Sequence, residues 1–339
     1  MIKSLLFTIL VGLSGLLLVT GVGCSKKPAG PTLWIYTSSY NHAVQKYKED
    51  LAKIFPNVEF KWYLAGSETV AAKVNSELLS GKTQADLIMT SDLFWFEDLK
   101  NKKALLAYNS PAATKVSSAY KDSANYWAVN RIPIMVIAYH SDVYSEVDAP
   151  KGYADLTLPR FKDKVAMGSP LESGTTFTTV AMIARSKLGW EYFEKLRANG
   201  TISAGGNSAV MSRIETKERP VGIVLLENVL AAHRKNPKIK LVYPIEGVVA
   251  VPSPVAITAT SPHPELAKQV YDYFFSQASQ EIIRQGDVHS VFPEFAAPNG
   301  ALPYSQFMDK AMPWNDTILH EVLASRDQIK KRFSKLMLE

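Results

Sequence analysis

The chain has 339 residues, a formal charge of +6 and one cysteine, with 47% hydrophobic and 21% charged residues. A lone cysteine excludes an internal disulfide and thiolate-built metal centres. The positive charge is scattered rather than gathered into a basic stripe interleaved with aromatics, which argues against nucleic-acid binding and leaves a mild field favouring anions.

Residues 1–24 have the order of an export signal. Lys3 is followed by an apolar run over 5–19, then by small residues, Gly21-Val22-Gly23, just before Cys24. This placement resembles a bacterial lipoprotein signal, in which the cysteine becomes the lipidated N-terminus, although Gly21 stands where such signals usually have Leu. The resemblance implies a body held at the periplasmic or cell surface by a lipid on Cys24. Residues 25–31, Ser-Lys-Lys-Pro-Ala-Gly-Pro, read as a polar tether. About 300 residues follow, enough for two domains with their own cores.

The first domain opens with a strand over 33–39 that ends in Thr37, Ser38 and Ser39. Ala43, Val44, Tyr47, Leu51 and Ile54 lie at helical spacing, and Pro56 stops that helix. A second strand is predicted over 58–64. A second helix follows Gly66-Ser67-Glu68-Thr69 and ends near Gly81. A third strand over 85–90 runs into Thr90-Ser91-Asp92, and a helix follows over 93–99. Alternation of strand and helix predicts a parallel sheet, whose ligands bind beyond the carboxyl ends of its strands. Three such ends carry hydroxyls and carboxylates, which gives Thr37, Ser38, Ser39, Ser67, Glu68, Ser91 and Asp92 as candidate site residues. Each turn alone is also what an ordinary helix cap requires.

In the second half, Lys164-Val-Ala-Met-Gly-Ser-Pro-Leu-Glu-Ser-Gly-Thr-Thr-Phe-Thr-Thr179 reads as a strand, a polar turn and a helix start. Unpaired N–H groups and a positive dipole end at such a start suit an anion. Ser173, Gly174, Thr175 and Thr176 are therefore candidates, with Ser173 as a plain N-cap being the simpler reading. A helix is predicted over 189–198, a loop over 201–207, a helix over 209–216, a buried strand over 221–225 and a last strand over 240–244. Asn207, Glu227 and Asn228 sit in the turns. Helices are expected over 264–276, 277–285 and 317–338. The last carries Lys330, Lys331, Arg332 and Lys335, which read as a solvated face.

Taken together, these motifs resemble the type II periplasmic solute-binding proteins of ABC transporters, in the branch with ferric-ion, phosphonate, sugar-phosphate and thiamine binders. The resemblance covers most of residues 32–295. It is carried by Leu33-Trp-Ile-Tyr-Thr-Ser-Ser39, Ala85-Asp-Leu-Ile-Met-Thr-Ser-Asp92, Gly168-Ser-Pro-Leu-Glu-Ser-Gly-Thr-Thr176 and Val221-Gly-Ile-Val224. Residues 150–161, Tyr243-Pro-Ile-Glu-Gly247 and Ala267-Lys-Gln-Val-Tyr-Asp-Tyr-Phe-Phe-Ser276 with Gln280 add to it. The resemblance implies an α/β fold of two lobes, with parallel-rich sheets flanked by helices and two hinge strands. The crossings fall over 132–139 and 251–259. The first lobe is expected to comprise 32–131 and 256–339, and the second 132–255. It further implies a non-enzymatic, cofactor-free monomer that closes on a small ligand and docks on an ABC permease, with 173–176 completing the ligand's hydrogen bonds.

The ferric binders of that branch use adjacent tyrosines after the strand corresponding to 221–225. Here the sequence reads Glu227-Asn-Val-Leu-Ala-Ala-His233, and no adjacent tyrosine pair occurs anywhere. Hydroxyls and helix starts favour a phosphorylated or phosphonylated organic anion. Asp92 and Glu227 are placed to hold an amine or hydroxyls, and Trp34, Tyr40, Trp95 and Trp127 to stack. Iron held by carboxylates with a carried anion, and a polyamine or thiamine-like cation, are the alternatives. A secreted serine hydrolase is a remote one: Ser118-Ala-Tyr-Lys121 has the S-x-x-K spacing but no accompanying Lys-Thr-Gly motif, and G-x-S-x-G does not occur.

Overall fold

The computed structural model describes residues 30–339, so the export signal, Cys24 and most of the tether lie outside the described residues. The first part alternates as β1 (Thr32–Thr37), α1 (Asn41–Ile54), β2 (Glu59–Leu64), α2 (Ser67–Leu79), β3 (Leu87–Met89) and α3 (Leu93–Asn101). β1 pairs in parallel with β2 on one side and β3 on the other, as the alternation predicts. α1 buries Val44, Tyr47 and Leu51, its apolar stripe. Gly81, at φ +109°, turns the chain out of α2 in a conformation open to glycine.

β4 (Leu105–Leu106) and β5 (Ala128–Ile132) follow. At Pro133 the chain leaves this sheet and enters a second one as β6 (Ile134–His140). A proline lacks the N–H needed for a ladder, so the break falls where pairing changes partners. The second sheet then gains β7 (Val165–Met167), α4 (Gly174–Arg185), α5 (Glu191–Ala198), β8 (Ile202–Ser203), α6 (Asn207–Glu215), β9 (Val221–Leu225), α7 (Leu226–Lys235), β10 (Ile239–Val242) and β11 (Val249–Ala250). After Val251 and Pro252 the chain returns to the first sheet as β12 (Ser253–Thr258). α8 (Pro264–Tyr273), α9 (Gln277–Gln285), β13 (His289–Ser290), α10 (Tyr304–Met308) and α11 (Asp316–Met337) complete it.

Among the described residues, the first sheet runs β13-β5-β12-β3-β1-β2 with β4 beside β12, and the second runs β10-β6-β9-β7-β8 with β11 beside β6. β5, β6, β9 and β12 are buried along their whole length. That explains why β6 and β9 read as near-continuous apolar runs rather than as alternating strands. The result is two α/β lobes joined by two crossings, the type II periplasmic-binding architecture.

Three details differ from the sequence reading. The expected loop over 201–207 contains β8, whose two residues pair with Ala166 and Met167, and α6 already starts at Asn207. A two-residue strand leaves no periodicity to read. The second crossing is short: Ser253, Pro254 and Val255 already pair with β5 in the first sheet. The basic run of α11 is not wholly a solvated face, because Lys330 pairs with Glu68 at 2.7 Å.

Candidate functional site

A cavity of about 380 Å³ lies between the lobes, beyond the carboxyl ends of strands from both sheets. From the first lobe come Ser38 and Ser39 after β1, Gly66 and Ser67 after β2, Ser91 after β3 and Arg131 on β5. From the second come Glu172, Ser173 and Thr175 after β7, Gly206, Asn207 and Ser208 after β8, and Glu227 after β9. Five helices, α1, α2, α4, α6 and α7, therefore begin at its wall. Each start contributes backbone N–H donors and a positive dipole end.

The hydroxyls are already knitted together. Ser173 caps α4, its Oγ accepting from the Thr176 N–H at 3.3 Å, and it lies 3.0 Å from Thr175 Oγ1. Asn207 Nδ2 donates to Thr175 Oγ1 at 2.9 Å, while its Oδ1 accepts from the Leu225 N–H at 3.2 Å. One amide thus ties the starts of α4, α6 and α7 into a rigid rim. Opposite, the Ser91 N–H donates to Ser38 Oγ at 3.2 Å, and Ser253 Oγ donates to Ser91 Oγ at 2.8 Å.

Two ionisable groups stand out by what they lack. Arg131 is 5% exposed; its Nη2 lies 3.5 Å from Ser91 Oγ, and its Nη1 has no hydrogen-bond partner among the described residues. Burial pulls its pKa down, with Tyr47 and Glu227 acting in the other direction. Glu227 is 6% exposed, and its Oε2 is also without a partner. Burial pushes its carboxyl up to about 8 against the opposing pull of its own backbone N–H and Arg131. A buried cation and a buried acid thus face one cavity from opposite lobes. A buried polar group left unpaired costs free energy, and a ligand that pairs it recovers that cost. Tyr40 and His42 complete the wall. The Tyr40 hydroxyl donates to Asn228 Oδ1 at 2.8 Å, and burial lowers the His42 pKa, favouring a neutral ring at pH 7.

The candidate residues divide accordingly. Ser38, Ser39, Ser67, Ser91, Ser173, Thr175, Asn207 and Glu227 line the cavity. Thr37 does not; it is fully buried and its Oγ1 accepts from the Ser39 N–H at 3.0 Å. Thr176 faces the β7 turn, where its hydroxyl would overlap a Cβ at Gly168. Gly174 lets the lobes touch, since a Cβ there would stand 2.8 Å from the Ser91 carbonyl oxygen and 2.9 Å from Asp92 Cβ. Asn228 spends its side chain on Tyr40. Glu68 and Asp92 are held outside the cavity by α11: Arg326 bonds to both, and Lys330 bonds to Glu68. Of the aromatics, Tyr40 lines the site, whereas Trp95 is core and Trp127 donates from Nε1 to Glu97 at 2.6 Å. Lys121 of the S-x-x-K spacing donates to the Thr114 carbonyl at 3.3 Å.

Sequence reasoning missed Arg131. For Arg131 a signal existed: it is the one charge in the apolar run Trp127-Ala-Val-Asn-Arg-Ile-Pro-Ile-Met-Val-Ile-Ala-Tyr139. A charge in a strand buried along its length calls for a partner or a function.

Comparison with known proteins fits this geometry. Residues 82–316 match the family described as bacterial extracellular solute-binding protein. A Salmonella paratyphi A periplasmic protein, provisionally assigned to 2-aminoethylphosphonate binding, is 24% identical over 206 residues, covering 58% of this chain and 59% of its own length. The periplasmic binding protein AfuA from Actinobacillus pleuropneumoniae, solved with fructose-6-phosphate, superposes with a TM-score of 0.80 at 20% identity, covering 91% of this chain and 98% of its own. Iron-bound HitA from Pseudomonas aeruginosa gives 0.78 at 18% identity, covering 89% and 99%. At these identities the structural likeness shows the fold and leaves the ligand to the site.

Proposed function

Given that the chain belongs to the bacterial extracellular solute-binding proteins, we propose that it captures a small phosphorylated or phosphonylated organic anion between its lobes for an ABC importer. The observation that carries this reading is Arg131, a buried guanidinium with an unpartnered nitrogen in a cavity ringed by hydroxyls and five helix starts. A guanidinium fork matches a phosphate or phosphonate face, and water exclusion strengthens the bond. Ser38, Ser67, Ser91 and Ser173 are positioned to donate to the remaining oxygens, and Glu227 to take an amine or hydroxyl on the organic part. A periplasmic or cell-surface body tethered by a lipid on Cys24 would deliver the closed form to a membrane permease.

The alternatives find less support in the same residues. Among the described residues no group of three or more His, Cys, Asp and Glu side chains is arranged to hold a metal ion. With Glu68 and Asp92 engaged by α11, Glu172 and Glu227 are the carboxylates that line the cavity, fewer than a polyamine site calls for. A thermal-shift panel tests the proposal, using inorganic phosphate, 2-aminoethylphosphonate, fructose 6-phosphate, ferric citrate and spermidine. Saturation at about 100 times the dissociation constant stabilises by about 2.7 kcal/mol. A shift with a phospho-compound supports the reading; a shift with ferric citrate or spermidine alone refutes it.

A further inference from the structure

We infer that the two flanks of the cleft have different jobs, one a fixed joint and the other a releasable edge latched by Arg234 and Asp287. The inference rests on reading the cavity as a capture cleft, but not on what the cleft captures.

The fixed flank is aromatic. Phe94 on α3 is fully buried, edge-on to Phe177 on α4 at 5.5 Å and 5.5 Å from Trp314. These rings belong to different lobes. α11 lies across the same seam. Its Phe333 packs edge-on to Phe193 of the second lobe at 5.4 Å. Its Arg326 sits over the Phe177 ring at 5.2 Å while bonding to Glu68 and Asp92 of the first lobe. Parting this seam would wet four buried rings, Phe94, Phe177, Phe193 and Phe333, and lift the Arg326 guanidinium off Phe177. Both steps are costly.

The other flank is polar. Here the contacts between lobes include Tyr40 to Asn228 at 2.8 Å, the Leu302 N–H donating to the Tyr243 hydroxyl at 3.0 Å, and a two-pronged ion pair. Arg234, in the last turn of α7, donates through Nη1 to Asp287 Oδ1 at 2.8 Å and through Nη2 to Oδ2 at 2.5 Å. Asp287 follows α9 and lies between Gly286 and Val288, two residues of the cavity wall. The Arg234 side chain is 54% exposed, so water can take its place when the edge lifts. A bidentate fork also defines one closed geometry, because both bonds form together or neither is well made. Arg234 and Asp287 are thus positioning residues: they set how long the cleft stays shut without touching the ligand.

The test follows the lobes directly. In the full chain with Cys24→Ser, solubilised in mild detergent, spin labels go on Ile54→Cys and Val147→Cys, both exposed and on different lobes. Their distance distribution is measured without ligand at low and high salt. The wild-type chain should show a closed population that shrinks in high salt. Arg234→Ala should cut that population about threefold to tenfold and remove its salt dependence, as expected for an exposed ion pair with one buried partner. The reversed pair, Arg234→Asp with Asp287→Arg, should restore at least half of it. Identical distributions for wild type and Arg234→Ala overturn the inference. So does a reversed pair no better than Arg234→Ala while thermal melting shows both folded. A failed ligand panel would refute the proposed ligand class and leave this measurement unaffected.

Discussion

Replacing Arg131 with methionine should move affinity and stability in opposite directions. The guanidinium is 5% exposed, its Nη1 is unpartnered and its Nη2 reaches only one hydroxyl at 3.5 Å. A bound oxyanion can therefore gain two charge-assisted hydrogen bonds, each about 1.5–3 kcal/mol. Together these are about 3–6 kcal/mol, or roughly a hundredfold to ten-thousandfold in Kd. Without ligand the sign reverses. A buried, underpaired cation is a cost, and an apolar chain of similar length relieves about 1–2 kcal/mol of it. For a chain of this size that raises the ligand-free Tm by about 2–4 °C. Calorimetric titration with 2-aminoethylphosphonate or fructose 6-phosphate, and thermal melts of the ligand-free protein, read the two effects. A Kd within threefold of wild type, or a Tm that falls along with affinity, would refute the reasoning.

Other residues give further outcomes. Gly174→Val places a side chain against Ser91 and Asp92 at the seam between α3 and α4, so it should weaken binding at least about tenfold by forcing that seam apart and should lower the Tm as well. Thr176→Val should leave affinity within about twofold, because its hydroxyl has no partner and faces the β7 turn rather than the cavity. Glu227, pushed up to about 8, stays protonated in the folded chain where the unfolded chain has ionised it. Its contribution is therefore complete below the ordinary carboxyl range and is lost as pH rises towards 8, at up to about 1.4 kcal/mol per pH unit. The Tm advantage of Glu227→Gln over wild type should accordingly grow between pH 5 and 8, and a pH-independent difference would contradict the assignment. A ligand with an ammonium group should expel that proton, seen as a binding enthalpy that changes with the buffer's ionisation enthalpy.

The fold was legible because its signals are local and repeated. Polar turns after Thr37, Leu64 and Met89 fall where strands end, and strand–helix alternation fixes the parallel pairings. The hydroxyl half of the site follows from the same turns, since Ser38, Ser67, Ser91 and Ser173 sit at those ends whatever the tertiary arrangement. The charged half depends on distant packing. Glu68 and Asp92 look free in sequence, yet Arg326, 258 and 234 residues away, removes them from the cleft. Arg131 looks like one charge in a strand until the crossing at Pro133 brings that strand end to the cavity. Thr176 shows the limit of a motif: a helix start presents only some of its hydroxyls to one side.

The most direct test of oxyanion capture is calorimetric titration of the purified full chain and its Arg131→Met variant with 2-aminoethylphosphonate, fructose 6-phosphate, inorganic phosphate and ferric citrate. Saturable binding of at least one phospho-compound by the wild-type chain, lost at least a hundredfold in the variant, is the predicted result. Binding of ferric citrate alone, or phospho-compound binding that survives the loss of Arg131, would contradict it.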